Sequence, residues 1–221
     1  MSSTVLITGA NRGVGLALAR HYAGEGRRVI GVCRKASAEL AEVAERVIDG
    51  IDVTRSEDVA RLARELDGRP LDLLINNAGL LHDEVLGELD FDAIRAQMEI
   101  NAYAPLRVVE ALLPCLGEGA KVANITSRMG SIADNDSGGR YGYRASKAAL
   151  NAFGKSLAVD LAPRGIAVAQ LHPGYVQTRM VNFGGLISPE EAAAGLAARI
   201  EALTLETSGG FWHSNGERLP W

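Results

Sequence analysis

The stretch VLITGANRGVG, residues 5–15, joins a β-rich apolar run to a helical pattern through three glycines. Gly9 can take a tight turn, Gly13 lets the backbone approach a phosphate, and Gly15 permits close packing of helix on strand. The N–H groups that open the helix add an anion site, which the helix dipole reinforces. The G-x-x-x-G-x-G spacing therefore predicts a dinucleotide-binding turn rather than a Walker P-loop. A turn with a purely structural role is the alternative.

Short apolar runs alternate with helical patterns along nearly all of the 221 residues. The apolar runs predict strands over 4–9, 28–33, 46–53, 71–79, 121–127 and 165–174, with a further candidate at 209–216. The helical patterns cover 13–25, 55–66, 90–113, 142–162 and 189–203. Strands that alternate with helices form right-handed βαβ units. The sequence therefore predicts an α/β fold: a Rossmann-type, doubly wound, parallel seven-stranded sheet with helices on both faces. We expect a single domain over 1–221, with a cofactor half at about 1–125 and a catalytic and substrate half at about 126–221.

Composition argues against several classes of protein. The net charge of −4 does not suit a general nucleic-acid binder, which would carry a basic face. Cys33 and Cys115 are too few for a disulfide framework or a zinc site, and we expect no metal. No stretch approaches the ~20 apolar residues of a membrane span, and the first residues lack the basic start of a signal peptide. We therefore expect a cytoplasmic protein that binds neither nucleic acid nor membrane.

The end of the second predicted strand indicates the type of dinucleotide. An NAD site requires a carboxylate roughly 20 residues past the glycines, to bind the ribose 2′-hydroxyl. Here Cys33 stands where an acid is expected, and Arg34 and Lys35 follow it. Arg12, in the glycine loop, can point to the same place. Three positive charges favour a 2′-phosphate, and so NADP(H) over NAD(H); a solvated helix start at 34–35 is the alternative.

The stretch YGYRASK, residues 141–147, predicts an acid–base pair. Tyr143 and Lys147 are four residues apart and so share one face of a helix, whereas Tyr141 points elsewhere. A free phenol, with a pKa near ~10, is a poor acid–base catalyst at neutral pH, and a nearby ammonium group stabilises its phenolate. An exposed helix can show the same spacing by chance. However, polar residues end three predicted strands, at the sheet edge where open α/β folds bind ligands: LLINNAG (73–79), ANITS (123–127) and HPGYVQT (172–178).

These motifs occur in a fixed order along the chain: Thr8-Gly9-Ala10-Asn11-Arg12-Gly13-Val14-Gly15, Asp52-Val53, Asn76-Asn77-Ala78-Gly79, Asn101, Ser127, Tyr143-x-x-x-Lys147 and Pro173-Gly174-Tyr175-Val176-Gln177-Thr178. As an ordered set over essentially the whole chain, they resemble a classical short-chain dehydrogenase/reductase. Residues 127–151 and 208–221 are similar to those of the C-factor/sniffer-like carbonyl reductases. The resemblance implies an NADPH-dependent reductase of aldehydes, ketones or quinone-like carbonyls.

The resemblance also implies the catalytic roles. Tyr143 would protonate the carbonyl oxygen, and Lys147 would lower the pKa of Tyr143 and bind the nicotinamide ribose. Ser127 would hold the substrate carbonyl, and Asn101 would anchor a water in a proton relay. The distance along the chain from Ser127 to Tyr143 is longer than is common in the family, so Ser131, four residues closer, competes for the serine role. We favour Ser127 because it directly follows a strand, with residues 133–139 as a looped insert.

In the cofactor site, Asp52 and Val53 would flank the adenine, Asn77 and Ala78 the adenosine ribose, and Val176 and Thr178 the carboxamide. The complete predicted set is Gly9, Asn11, Arg12, Gly13, Val14, Gly15, Arg34, Asp52, Val53, Asn77, Ala78, Gly79, Tyr143, Lys147, Pro173, Gly174, Val176 and Thr178.

Three further expectations concern the surroundings of the site. A short segment before the helix at 189 predicts an open substrate pocket with an apolar lining from Met180, Phe183, Leu186 and Ile187. The helix at 90–113 and the tyrosine-bearing helix pair in a homodimer in this family; plain core packing is the alternative. A regulatory or signalling protein that binds NADP(H) with little turnover is the alternative function.

Overall fold

The computed structural model describes residues 3–221, which form one seven-stranded sheet. The strands are β1 (Thr4–Thr8), β2 (Arg28–Val32), β3 (Arg46–Ile48), β4 (Leu71–Asn76), β5 (Leu116–Ile125), β6 (Ala167–His172) and β7 (Gly210–His213). Their order is β3-β2-β1-β4-β5-β6-β7, and every neighbouring pair is parallel. The predicted doubly wound parallel sheet is confirmed.

Within residues 3–221, seven α-helices connect or flank these strands. They are α1 (Gly13–Gly24), α2 (Ala38–Val43), α3 (Ser56–Leu66), α4 (Phe91–Met98), α5 (Ala104–Leu112), α6 (Tyr141–Leu161) and α7 (Pro189–Glu201). Every residue of β1 is buried, because both faces of a parallel sheet are covered by helices. Leu6 contributes to a core with α3, α5 and α6, whereas Val5 and Ile7 contribute to a second core with α1, α2 and α7. The helices therefore cover both faces, as predicted.

Four observed elements differ clearly from the predicted ones, and the first is β5, which begins at Leu116 and not at residue 121. The short helix α2, which Ser37 caps by accepting a hydrogen bond from the Leu40 N–H, was not predicted. Strand β3 ends at Ile48, because Gly50 (φ +68°) turns the chain. The single helix predicted over 90–113 is interrupted by a π-helical turn, Glu99–Tyr103, between α4 and α5.

The strand order reverses between β1 and β4, which leaves a crevice at the carboxyl edge of the sheet. The glycine loop leaves β1 at this edge, and the polar ends of β4, β5 and β6 meet it there. Among residues 3–221, no helix combines the length and apolar character needed to cross a bilayer.

Candidate active site

The glycine loop is held in a shape that side chains would obstruct. Gly9 and Gly13 have φ values of +67° and +54°, which favour glycine. A Cβ atom on Gly15 would overlap the Gly9 carbonyl oxygen and lie 2.5 Å from the Asn77 side-chain nitrogen. That nitrogen donates to the carbonyl oxygens of Thr8 (3.0 Å) and Gly9 (3.2 Å), so the end of β4 supports the loop directly. Helix α1 begins at Gly13 and presents its N-terminus to the crevice.

A groove of about 1080 Å³ runs along the carboxyl edge of the sheet. All but two of the predicted cofactor residues line this groove, which runs from Arg34 at one end to Tyr143 and Lys147 at the other. The two exceptions, Gly174 and Val176, line a smaller neighbouring cavity. The groove also includes Glu39 and Arg179, which the sequence reasoning missed because neither lies in a recognised motif.

At one end of the groove, carboxylates partly neutralise a group of positively charged side chains. Arg12, Arg34 and Lys35 all line it, as predicted. Arg34 lies 4.0 Å from the Asp52 carboxylate, and its side chain is 69% exposed. Burial raises the pKa of Asp52, but hydrogen bonds from Thr54 and the charge of Arg34 outweigh it, so the net direction is down and the carboxylate stays ionised. Two carboxylates, Glu39 and Asp52, line the groove together with the three cations.

At the other end of the groove, Tyr143, Lys147 and Asn101 come together, and all three are buried. Lys147 Nζ lies 5.8 Å from the centre of the Tyr143 ring and donates a hydrogen bond to the Ile125 carbonyl oxygen at 2.8 Å. Tyr143 also lines the smaller cavity, together with Ser127. The structure therefore places the phenol where the groove and the smaller cavity meet.

Burial controls the protonation of both catalytic candidates. It raises the pKa of the Tyr143 phenol, and a hydrogen bond with Ser127 and the charge of Arg140 offset this only in part. Burial also lowers the pKa of Lys147 to about 7. A low-dielectric site disfavours both charged forms. The expected lowering of the Tyr143 pKa is thus not what the structure gives; the direction is upward, and the phenol is a protonated acid at neutral pH.

The two candidate serines have different surroundings. The Ser127 hydroxyl lines the smaller cavity beside Tyr143 and accepts a hydrogen bond from the Met129 N–H at 3.2 Å. The Ser131 hydroxyl donates to the Trp221 carbonyl oxygen and accepts from the Asp134 N–H, both at 3.1 Å. Ser131 is thus engaged in holding the loop, and the geometry favours Ser127 as the serine that faces a substrate.

Asn101 sits in the π-helical turn between α4 and α5. Its side-chain nitrogen donates to the Leu80 carbonyl oxygen (2.8 Å) and to Ser146 Oγ (3.0 Å), and its Oδ1 accepts from the Leu80 N–H (2.8 Å). These bonds fasten the segment after β4 to helix α6. A role for Asn101 in a water relay stays a prediction.

The smaller cavity has a volume of about 380 Å³ and opens beside Ser127 and Tyr143. Met180 lines both this cavity and the groove, and Phe183 lines the groove alone. Leu186, by contrast, is 81% exposed, so it does not form the apolar lining expected of it. His172 also faces this cavity; burial and the neighbouring His213 lower its pKa to about 3, so the ring is neutral.

The family model for short chain dehydrogenases matches residues 3–184. The 1-hydroxy-2-glutathionyl-2-methyl-3-butene dehydrogenase of Rhodococcus sp. (strain AD45) is 46% identical, over 99% of this chain and 100% of the relative. The C-signal protein of Myxococcus xanthus is 44% identical, over 69% of this chain and 93% of the relative. Among solved structures, a carbonyl reductase of Pseudomonas aeruginosa PAO1 in complex with NADP has a TM-score of 0.88 and 33% identity, with full coverage of both chains. The predicted resemblance to carbonyl reductases and C-factor proteins is confirmed.

Proposed function

The chain belongs to the short-chain dehydrogenase/reductase family, and we propose that it is an NADPH-dependent enzyme that reduces the carbonyl group of a small molecule to an alcohol. One observation carries this proposal: Tyr143 lines both the groove and the smaller cavity, and Ser127 lines the smaller cavity beside it. The groove would hold the dinucleotide and the smaller cavity the substrate. The bound nicotinamide supplies a hydride, and the chain supplies position and a proton.

The groove suits a dinucleotide. The positive-φ glycines and the N-terminus of α1 provide backbone N–H groups for a diphosphate, with no Cβ atom in the way. Asp52 and Val53 would flank the adenine, and Asn77 and Ala78 would border the adenosine ribose. Pro173, Gly174, Val176 and Thr178 would border the nicotinamide end; the remaining predicted cofactor residues lie between these two ends.

The proton would come from Tyr143. Because its pKa is raised by burial, the phenol is protonated at neutral pH and can donate to a carbonyl oxygen that gains negative charge. The Ser127 hydroxyl would hold the same oxygen by a hydrogen bond. Lys147, with its pKa near 7, can gain and lose a proton at physiological pH and would resupply Tyr143, with Asn101 positioning the segment beside it.

The preference for NADPH rests on Arg12, Arg34 and Lys35. A 2′-phosphate would meet these cations at the exposed end of the groove, whereas NADH would leave them unmatched. Arg34→Gln is expected to weaken NADPH binding about tenfold and to leave NADH binding nearly unchanged. Arg64→Gln, on the exposed side of α3, is the matched control because it lines neither cavity.

The decisive experiment combines fluorescence titration of NADPH and NADH with oxidation of each by a panel of aldehydes, ketones and quinones. Tight NADPH binding with turnover supports the proposal. The similarity to C-signal keeps a second candidate, a regulatory protein that binds NADP(H). Tight binding without turnover on any substrate would favour that candidate, and no binding would refute both.

We further propose a cytoplasmic protein that pairs as a homodimer through α4 and α6, which mass photometry would test.

A further inference from the structure

Three arginines line the smaller cavity: Arg128, Arg140 and Arg144. We propose that this basic lining binds a carboxylate group of the substrate through Arg144, and that the enzyme therefore acts on carbonyl compounds with an anionic far end. This inference rests on the proposed function, since it names the substrate class of the same site. It replaces the expectation of an open, mainly apolar pocket with a charge-selective one.

The arginines surround the reacting end of the cavity. Arg128 directly follows Ser127 in the chain, and Arg140 and Arg144 flank Tyr143 at the start of α6. The Arg144 N–H donates to the Arg140 carbonyl oxygen at 2.9 Å, so both residues belong to the first turn of α6 and its cap.

Arg144 is the guanidinium with the least internal compensation. Arg140 pairs with Asp83 at 2.5 Å, and Arg128 pairs with Glu217 at 2.6 Å. The Arg144 side chain instead donates to two neutral oxygens, Ser137 Oγ at 2.8 Å and the Gly138 carbonyl oxygen at 3.3 Å. Its positive charge is thus available to a ligand.

The charge of the lining contrasts with that of the chain. Three guanidinium groups and one carboxylate, Asp134, border the smaller cavity, whereas the whole chain carries a net charge of −4. A guanidinium fork matches a carboxylate in geometry as well as in charge. At about 380 Å³, the cavity has room for a compact molecule whose carbonyl meets Tyr143 while its carboxylate meets Arg144.

A pair of aldehydes with nearly the same shape tests the proposal. The acid is 4-carboxybenzaldehyde and its neutral partner is methyl 4-formylbenzoate, each reduced with NADPH. For the wild type we expect kcat/KM to be at least about tenfold higher for the acid, as for a charge-assisted hydrogen bond. Arg144→Gln should reduce that ratio about tenfold, Arg144→Lys should restore part of it, and Arg64→Gln should leave it unchanged. The inference would be overturned if the ratio of kcat/KM for the acid to kcat/KM for the ester were near one in the wild type, or if Arg144→Gln kept the wild-type ratio.

A binding measurement separates this inference from the proposed function and distinguishes two sources of carboxylate. Isothermal titration of the enzyme with NADP⁺ present uses 4-carboxybenzyl alcohol, with one carboxylate, and S-hexylglutathione, with a peptide's two carboxylates. Weaker binding of either ligand to Arg144→Gln supports the inference even if neither aldehyde is turned over, in which case carbonyl reduction alone fails. If Arg144→Gln loses more affinity for S-hexylglutathione than for the small acid, the natural substrate is a thiol-peptide conjugate. If it loses affinity for the small acid alone, the natural substrate is a simple carboxylic acid. The inference would be overturned if the wild type and Arg144→Gln bound each ligand with the same affinity.

Discussion

The buried amine of Lys147 should make the stability of the protein depend on pH. Burial lowers the pKa of Lys147 from its ordinary 10.5 to about 7, and its residue surface is only 5% exposed. Between these two pH values the unfolded chain binds a proton at this residue and the folded chain does not. The free energy of unfolding therefore rises with pH across this range. Below pH 7 both states hold the proton, and the full cost of the buried amine is present.

The magnitude follows from the two pKa values. The difference between a pKa of 10.5 and one of about 7 means that, well below pH 7, burying the charged amine lowers the free energy of unfolding by roughly 5 kcal/mol. At pH 9 this destabilisation is roughly 2 kcal/mol. The free energy of unfolding therefore changes by about 2.5 kcal/mol from pH 6 to pH 9 because of Lys147. Lys147→Met removes this titration. It also removes the hydrogen bond to the Ile125 carbonyl oxygen, but that loss does not change with pH.

The assay is urea unfolding of the wild type and Lys147→Met at pH 6, 7, 8 and 9. The free energy of unfolding of the variant minus that of the wild type should fall by about 2.5 kcal/mol from pH 6 to pH 9. Other titrating groups cancel in this difference. Lys155→Met, at an exposed lysine of the same helix, is the matched control for the removal of one amino group from α6. If the difference between Lys147→Met and the wild type did not change with pH, the buried amine would keep its ordinary pKa, and the assignment of a lysine that titrates near pH 7 would be wrong.

Three further predictions concern the catalytic and loop residues. In steady-state assays, Tyr143→Phe should lower kcat at least ~10²-fold with little change in NADPH affinity. Tyr141→Phe, at a 41% exposed residue outside both cavities, should keep most activity. Loss of activity in Tyr141→Phe would contradict the assignment of Tyr143 as the acid. Gly15→Ala should abolish NADPH binding in a fluorescence titration, because the new methyl group overlaps the loop, while Gly24→Ala, with no atom within 4 Å, should bind normally. Ser131→Ala should lose about 1–2 kcal/mol of stability in chemical unfolding but keep its kcat, since its hydroxyl bonds only to the loop and Trp221; a large loss of kcat would make it the substrate-binding serine.

The alternation of apolar runs and helical patterns was sufficient to predict the sheet. Each of the seven strands overlaps one of these runs, because a strand buried on both faces has few polar residues. Helix α2 was not predicted because it has six residues and buries only Leu40, so its apolar residues show no helical periodicity. The π-helical turn could not be predicted, because the apolar pattern of 90–113 continues through it while the hydrogen bonding changes.

The two neighbouring asparagines at the end of β4 show where sequence reasoning about the site reached its limit. Polar amides in a core strand indicated partners or a ligand, but burial alone did not distinguish the two residues, and only the family resemblance assigned Asn77 to the cofactor site. In the structure Asn76 donates to Asn124 at 3.0 Å inside the sheet, and Asn124 donates to Gln170 at 3.2 Å. Asn77 alone supports the glycine loop and lines the groove. Which side of the sheet each amide faces depends on strand register, and that is a property of the folded sheet.

The long connection between Ser127 and Tyr143 lines the smaller cavity with Asp134, Ser137 and Arg140. Ser127 is fixed by its position after β5, and Tyr143 by the start of α6, which the buried Glu84 carboxylate anchors by accepting the Gly142 N–H at 3.2 Å. The intervening loop can therefore vary without moving either hydroxyl. Its last residue, Arg140, adopts a left-handed backbone (φ +50°) and donates its N–H to the Glu84 carbonyl oxygen at 3.1 Å. A left-handed arginine is strained, so this turn costs free energy that the anchor at Glu84 must offset. The turn also places the Arg140 guanidinium near the phenol, where its positive charge offsets part of the rise in the pKa of Tyr143.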